Sequence, residues 1–242
     1  MAGVTFDAFT GRYAQRTAGM TASEIRALFA VASRPEVVSL AGGMPYTTAL
    51  PLDAVGKLMS DLLATRGAQA LQYGSGQGDP ELREHICSIM ALEGVIGSPD
   101  DVTVTVGSQQ ALDLVTRIFI DPGDVILAEA PSYVGALGTF AAYQADVVHV
   151  PMDADGLVPE ALREAIAAVV ASGRRAKFLY TIPNFHNPAG TSLAFARRAE
   201  VLQICVEAGL LGLGGNPYGL RGFEGPPAPA IRALGDEDHG IY

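Results

Sequence analysis

The chain has 242 residues, of which 49% are hydrophobic and 17% are charged, and its formal net charge is −10. This composition excludes a disordered chain, and the acidic balance argues against a nucleic-acid binder. Cys87 and Cys205 are too few for a disulfide scaffold and favour a reducing, cytosolic setting. No signal peptide is visible, and no apolar run approaches the roughly 18 residues of a membrane span. A chain of this length is expected to bury its own core.

The first part of the chain, residues 1–48, is expected to form an arm that precedes the main domain. Within it, Ser23–Ala32 predicts a short helix. A second predicted helix has Pro51 in its first turn, and a third begins at Asp79 and Pro80, a cap followed by a first-turn proline. The periodicity gives the second helix one apolar face. That face consists of Leu52, Val55, Leu58, Met59, Leu62 and Leu63.

From residue 102 onward, short β-branched runs alternate with helical segments. The predicted strands are Val102–Val106, Val125–Glu129, Asp146–Val150, Phe178–Ile182 and Leu210–Leu213. The predicted helices between them are Gln109–Phe119, Tyr133–Tyr143, Pro159–Ala171 and Ala194–Ala208. This alternation indicates an α/β fold, a mostly parallel sheet with helices on both faces and right-handed crossovers. Ligands bind at the carboxyl ends of the strands in such sheets.

Polar and aromatic side chains follow four of the predicted strands. Ser108 and Gln109 begin a helix whose N-terminal dipole suits a phosphate, although taken alone an ordinary helix cap is the simpler interpretation. Tyr133 can stack on a flat heteroaromatic ligand, but a half-buried aromatic residue is the commoner case. Residues 184–190 either fix an amide at the sheet edge or form a turn. Residues 216–219 add a fourth polar group at the same edge.

The order of the motifs GSQQALDL, PSY, PNFHNPAG and NPYG resembles the fold-type-I aminotransferases that use pyridoxal 5′-phosphate. The resemblance is closest to the branch of 2-aminoadipate-type, aromatic and multisubstrate aminotransferases and MocR-type effector domains, and it covers essentially the whole chain. It implies a PLP-transferase-like large domain, residues 49–242, that is incomplete at its C-terminus, with the small C-terminal domain absent. It also implies that an α-amino acid gives its amino group to a 2-oxo acid.

The same resemblance implies roles for the residues at the sheet edge. Ser108 and Gln109 would hold the cofactor phosphate, and Tyr133 would stack on the pyridine ring. Asn187 and Tyr218 would hydrogen-bond the phenolic oxygen of the ring, which tunes the electronics of the cofactor.

Other residues would act between subunits or on the substrate. Tyr73 resembles a tyrosine that reaches the phosphate in the neighbouring subunit, which implies a homodimer with two shared sites. A loop aromatic packed on its own helix is the alternative for Tyr73. Ser23, Arg26 and Gly43 match a segment that contacts the substrate in some relatives, although for Arg26 a solvated or interface face is the more ordinary interpretation.

Three elements that the resemblance leads us to expect are missing. The only lysines, Lys57 and Lys177, do not stand in the sequence context of the lysine that forms a Schiff base with the cofactor. Gly215 occupies the place of the aspartate that pairs with the pyridine nitrogen. The arginine that binds the substrate carboxylate belongs to the C-terminal part. No residue of the chain is therefore expected to act as the catalytic lysine.

These observations leave several functions open. The first is an aminotransferase; the second is a catalytically inactive truncated remnant or non-catalytic dimer partner, which the missing elements favour for the chain as it stands. A third, the effector half of a transcription regulator, requires a DNA-binding segment that these 242 residues do not contain. The expected partners are small amino and oxo acids, and neither nucleic acid nor a membrane. The histidines are scattered and predict no metal site.

Overall fold

A computed structural model describes residues 8–9, 11–20, 31–32, 34, 36–38, 45–223, 225, 228–235 and 240–241. Its helices are α1 (Leu52–Ala70), α2 (Pro80–Met90), α3 (Gly107–Phe119), α4 (Val134–Ala142), α5 (Pro159–Ala171) and α6 (Phe195–Ala208). Its strands are β1 (Val125–Ala130), β2 (Asp146–Asp153), β3 (Gly156–Leu157), β4 (Ala176–Thr181), β5 (Leu211–Gly214) and β6 (Gly240–Ile241). Of the predicted helix Ser23–Ala32, only the last two positions are described, and they are helical.

The strands form one sheet in the order β3-β2-β1-β4-β5-β6. Neighbouring strands are parallel except for the short β2–β3 hairpin, which is antiparallel. Ala128 lies opposite Tyr180, and Thr181 lies opposite Gly214, so β1, β4 and β5 end at nearly the same level. This is the α/β fold, a mostly parallel sheet, that the sequence predicts.

Two apolar cores lie on opposite faces of the sheet because successive strand residues point to opposite sides. Val125 and Leu127 face α5 and α6, whereas Ile126 faces α3 and α4. Cys205 is buried in the first core, and burial raises the pKa of its thiol to about 12. Cys87 is only partly buried.

The predicted strand Val102–Val106 is wrong for the structure described. The segment precedes α3 outside the sheet, and Val106 is 88% exposed. The backbone N–H of Val104 donates to the carbonyl of Gln77 at 2.8 Å, away from any ladder. A β-branched run becomes a strand only when a neighbouring strand supplies hydrogen-bond partners, and no such strand lies beside it in the described part of the chain.

The second and third predicted helices both form. Asp79 caps α2, because its carboxylate accepts the N–H groups of Glu81 and Leu82 at 3.0 and 3.2 Å. Arg66 on α1 pairs with Asp79 and Glu81 and thereby joins the two helices. The predicted apolar face of α1 is not covered, however: none of the residues of this helix is buried.

Among the described residues, no helix is long and apolar enough to cross a bilayer. No group of three or more His, Cys, Asp or Glu side chains among them could hold a metal ion.

Candidate functional site

The candidate site lies at the carboxyl edge of the sheet. Because β1, β4 and β5 are parallel neighbours, the segments that follow them leave the sheet at the same edge. Tyr133 follows β1, Asn187 lies in the loop after β4, and Tyr218 follows β5. All three are partly buried. The fold therefore brings together three of the residues that the sequence analysis selected.

The first turn of α3 reaches this edge beside α4. The side-chain amide of Gln109 donates to the hydroxyl of Thr139 at 2.6 Å and to the carbonyl of Gly135 at 3.3 Å. Its side chain therefore joins α3 to α4, which leaves the exposed Ser108 and the backbone N–H groups of the helix N-terminus for an anion. Gly107 has a φ of +73°, and a Cβ there would have no atom within 4 Å. The space at the helix N-terminus is open.

Tyr133 is positioned by a close approach to a glycine. A Cβ added at Gly135 would lie 2.5 Å from the ring of Tyr133, so only glycine lets the ring lie against the first turn of α4. The tyrosine is the residue before this helix and packs against the core that faces α3 and α4. Its ring is thus held at the turn between β1 and α4, at the edge of the sheet where the candidate site lies.

The loop after β4 is anchored by Arg198, which the sequence analysis did not identify. This side chain is 1% exposed and lies on α6. It donates to the carbonyls of Leu193 and Pro183 at 3.1 and 3.2 Å and to the amide oxygen of Asn184 at 2.5 Å. A further bond of 2.7 Å reaches the carbonyl of Pro229. The sequence does contain a signal for this residue: Arg198 lies three residues before the apolar Val201 and therefore on the same face of the helix.

A chain of amides connects the loop after β4 to the loop after β5. Asn184 donates from Nδ2 to the amide oxygen of Asn216 at 2.8 Å, and Asn216 donates from Nδ2 to Glu93 Oε1 at 2.7 Å. A Cβ on Gly219 would overlap this Glu93 oxygen, so the turn that carries Tyr218 requires glycine. The loops that carry Asn187 and Tyr218 are therefore fixed relative to each other.

A buried carboxylate lies beneath the loop after β4. Glu129 is 1% exposed and accepts the hydroxyl of Thr181 at 2.8 Å and the N–H of Ile182 at 2.7 Å. His186 Nε2 lies 3.1 Å from Glu129 Oε2, within ion-pair distance but without hydrogen-bond alignment. His186 Nδ1 accepts the N–H of Ala189 at 3.3 Å. The sequence analysis had assigned no chemistry to this histidine.

Lys177 does not reach the candidate site. Lys177 lies near the amino end of β4, about 13 Å along the strand from Thr181 at a rise of about 3.3 Å per residue. Its ammonium group is 3.1 Å from Asp124. Burial favours a higher pKa for Asp124, but the N–H of Asp121 and Lys177 outweigh it and the pKa is lowered. Lys57 lies on α1.

Gly215 leaves the end of β5 without an acidic side chain. Its backbone N–H donates to the carbonyl of Thr181 at 2.8 Å, which holds it beside β4. A Cβ at this position would lie 3.3 Å from the hydroxyl of Tyr180. The residues present therefore suit the phosphate of pyridoxal phosphate, for which the open N-terminus of α3 has space. They do not supply the covalent lysine or the acid for the ring nitrogen.

The remaining predicted residues lie away from this edge or outside the described residues. Tyr73 is 100% exposed in the loop after α1, so it is not packed on its own helix. Ser23, Arg26 and Gly43 lie outside the residues that the structure describes.

Comparison with known proteins agrees with this geometry. The model of the family "Aminotransferase class I and II" matches residues 35–239. The aromatic-amino-acid aminotransferase 1 of Thermococcus litoralis is 38% identical over 231 residues, which are 95% of this chain and 55% of that protein. The 2-aminoadipate transaminase of Thermus thermophilus is 34% identical over 89% of this chain and 52% of its own length.

A solved structure shows the same architecture. The kynurenine aminotransferase of Pyrococcus horikoshii was crystallised in complex with pyridoxamine 5′-phosphate (PMP). It superimposes on this chain with a TM-score of 0.87 and is 33% identical in sequence. The match covers 95% of this chain and 57% of that one. The chain spans about half the length of the relatives it matches. The comparisons confirm the resemblance found in the sequence, and they do not support the inactive remnant over the aminotransferase. The chain belongs to the family of class I and II aminotransferases.

Proposed function

We propose that the protein transfers an amino group from an α-amino acid to a 2-oxo acid with pyridoxal 5′-phosphate bound at the carboxyl edge of the sheet. The observation that carries this proposal is the convergence of the α3 N-terminus with the segments that follow β1, β4 and β5. When bound, the cofactor supplies an electron-withdrawing ring. The relatives named for aromatic amino acids and 2-aminoadipate make these the first donors to test. A cytosolic location is part of the proposal and is supported by the presence of only two cysteines.

In this proposal each residue of the edge has a distinct task. Ser108 and the first N–H groups of α3 bind the phosphate, because a helix N-terminus combines free donors with a positive dipole end. Tyr133 stacks on the ring, and Asn187 and Tyr218 bind its phenolic oxygen. The hydrogen bonds of Arg198 and Glu129 hold the loops in which Asn187 and Tyr218 lie.

Binding of pyridoxamine 5′-phosphate to the 242-residue chain tests the site. This form of the cofactor has no aldehyde, so it cannot label surface lysines. We expect saturable 1:1 binding by calorimetry. Ser108→Asp places a negative charge beside the phosphate and is expected to weaken binding at least tenfold, a loss of about 1.4 kcal/mol.

Ser88→Asp is the matched control because it adds the same charge on an exposed face of α2. It should leave the affinity unchanged. Equal binding by wild type and Ser108→Asp would place the phosphate elsewhere, and an absence of saturable binding by the wild-type chain would contradict the proposed function.

We also propose that a second copy of the chain covers the apolar face of α1. The six residues of that face are all at least 44% exposed, although their spacing is that of a buried helix face. Tyr73 follows three residues after the end of α1 and projects fully into solvent. A partner on this face would bury the stripe and bring Tyr73 towards a neighbouring site, as the family resemblance implies.

The double substitution Leu58→Lys/Leu62→Lys is expected to convert a dimer into a monomer, because two ammonium groups cannot be buried between apolar helices. Sedimentation velocity measures the change. Ala64→Lys, on the opposite side of α1, is the control and should leave the dimer intact. A wild-type chain that sediments as a monomer at high micromolar concentration would refute this arrangement.

A further inference from the structure

The space where a side chain at residue 215 would project contains the hydroxyl of Tyr180. If the cofactor binds as proposed above, on which this inference depends, the family resemblance places residue 215 beside the pyridine nitrogen. We infer that the hydroxyl of Tyr180 takes over the contact with this nitrogen and meets it as a neutral hydrogen-bond donor in place of a carboxylate. Tyr180 would thus be a cofactor-contacting residue that sets the protonation state of the ring.

The geometry places Tyr180 firmly at this point. Its hydroxyl lies 3.3 Å from the Cβ position of residue 215, and its ring atom Cε2 lies 3.5 Å from that position. The ring packs edge-on against Phe140 of α4, with centroids 5.5 Å apart, on the face of the sheet where Tyr133 lies. Tyr180 is 3% exposed as a residue, and among the described residues no hydrogen bond of its hydroxyl is found. The hydroxyl is therefore fixed in place while its donor is available.

The surroundings keep this hydroxyl protonated. Burial raises the pKa of Tyr180 well above its ordinary value, and the nearby Glu129 and Tyr133 raise it further. A phenol of raised pKa is a weaker acid, so it donates a hydrogen bond without giving up its proton. None of residues 215–218, which follow β5, is acidic. This segment therefore supplies no carboxylate to stabilise a protonated ring nitrogen.

The chemical consequence concerns the strength of the cofactor as an electron acceptor. A carboxylate beside the pyridine nitrogen stabilises the protonated ring, whereas a neutral donor stabilises the unprotonated ring. An unprotonated ring withdraws electrons less strongly. The chain therefore binds the ring in its unprotonated form, and one substitution at residue 215 is sufficient to change the protonation state of the ring nitrogen.

The experiment uses pyridoxamine 5′-phosphate labelled with ¹⁵N in the ring, bound to the 242-residue chain. The ¹⁵N chemical shift reports whether the ring nitrogen is protonated, and calorimetry reports the affinity. We expect an unprotonated nitrogen in the wild type and a protonated one in Gly215→Asp. Gly215→Ala adds the same Cβ without the charge and should keep the nitrogen unprotonated.

Removal of the hydroxyl alone tests Tyr180 itself. Tyr180→Phe keeps the ring packed on Phe140 and is expected to weaken binding about fivefold, the effect of one neutral hydrogen bond. Tyr143→Phe is the matched control, since its hydroxyl donates to Asp113 at 3.0 Å, away from the carboxyl edge. A protonated nitrogen in the wild type, or unchanged affinity in Tyr180→Phe, would overturn the inference while the proposed function stands. A wild-type chain that does not bind the probe would overturn both.

Discussion

Replacing Arg198 with methionine is expected to lower the free energy of unfolding by about 4 kcal/mol, because buried carbonyl and amide oxygens lose their donor. The acceptors are the backbone oxygens of Leu193 and Pro183 and the side chain of Asn184, and Arg198 itself is 1% exposed. Methionine fills a similar volume, so the loss comes from unsatisfied polar groups rather than from a cavity. Urea unfolding followed by far-UV circular dichroism measures it, which suits a chain without tryptophan.

Arg163→Met is the control for this prediction. Arg163 pairs with Glu200 at 2.7 Å on the surface, where both side chains are substantially exposed, so little change is expected. If Arg198→Met were as stable as Arg163→Met, Arg198 would not anchor the loop after β4. A destabilised but folded Arg198→Met should also bind pyridoxamine phosphate more weakly, because Asn184 is no longer fixed.

Glu129→Ala is expected to lower the free energy of unfolding by about 3 kcal/mol. The substitution leaves the hydroxyl of Thr181 and the N–H of Ile182 without their buried acceptor and removes the partner of His186. Since Glu129 is 1% exposed, water cannot replace the lost contacts. Thermal unfolding and urea unfolding both measure this loss.

Glu129→Gln separates the charge from the hydrogen bonds. The amide keeps one acceptor oxygen and nearly the same volume, so its destabilisation should be clearly smaller than that of Glu129→Ala. Equal losses in the two variants would mean that the negative charge beside His186, rather than the acceptor count, stabilises the loop. Wild-type stability in Glu129→Ala would contradict the described network altogether.

Local pattern predicted the elements of this fold accurately where an element lies in the sheet or packs one face against it. The helix Pro159–Ala171 was predicted with the bounds that the structure shows, and β1 differs from its predicted range by one residue. The prediction failed at Val102–Val106, where the residues have strand propensity but no neighbouring strand. It also predicted the apolar face of α1 correctly as a pattern, although that face meets nothing in the described residues.

The sequence by itself determined the α/β class, the cap of α2 and the edge at which the candidate residues lie, because these depend on periodicity and on short-range turn chemistry. Only the tertiary structure revealed that Glu93, Asn216, Asn184 and Arg198 form one connected network. Glu93 and Asn216 are 123 positions apart, and no local pattern relates them. The same holds for Tyr180 and Gly215, which meet only because β4 and β5 are neighbours in the sheet. Contacts between distant residues depend on how strands and helices pack, and that packing decides which polar groups are buried and need a partner.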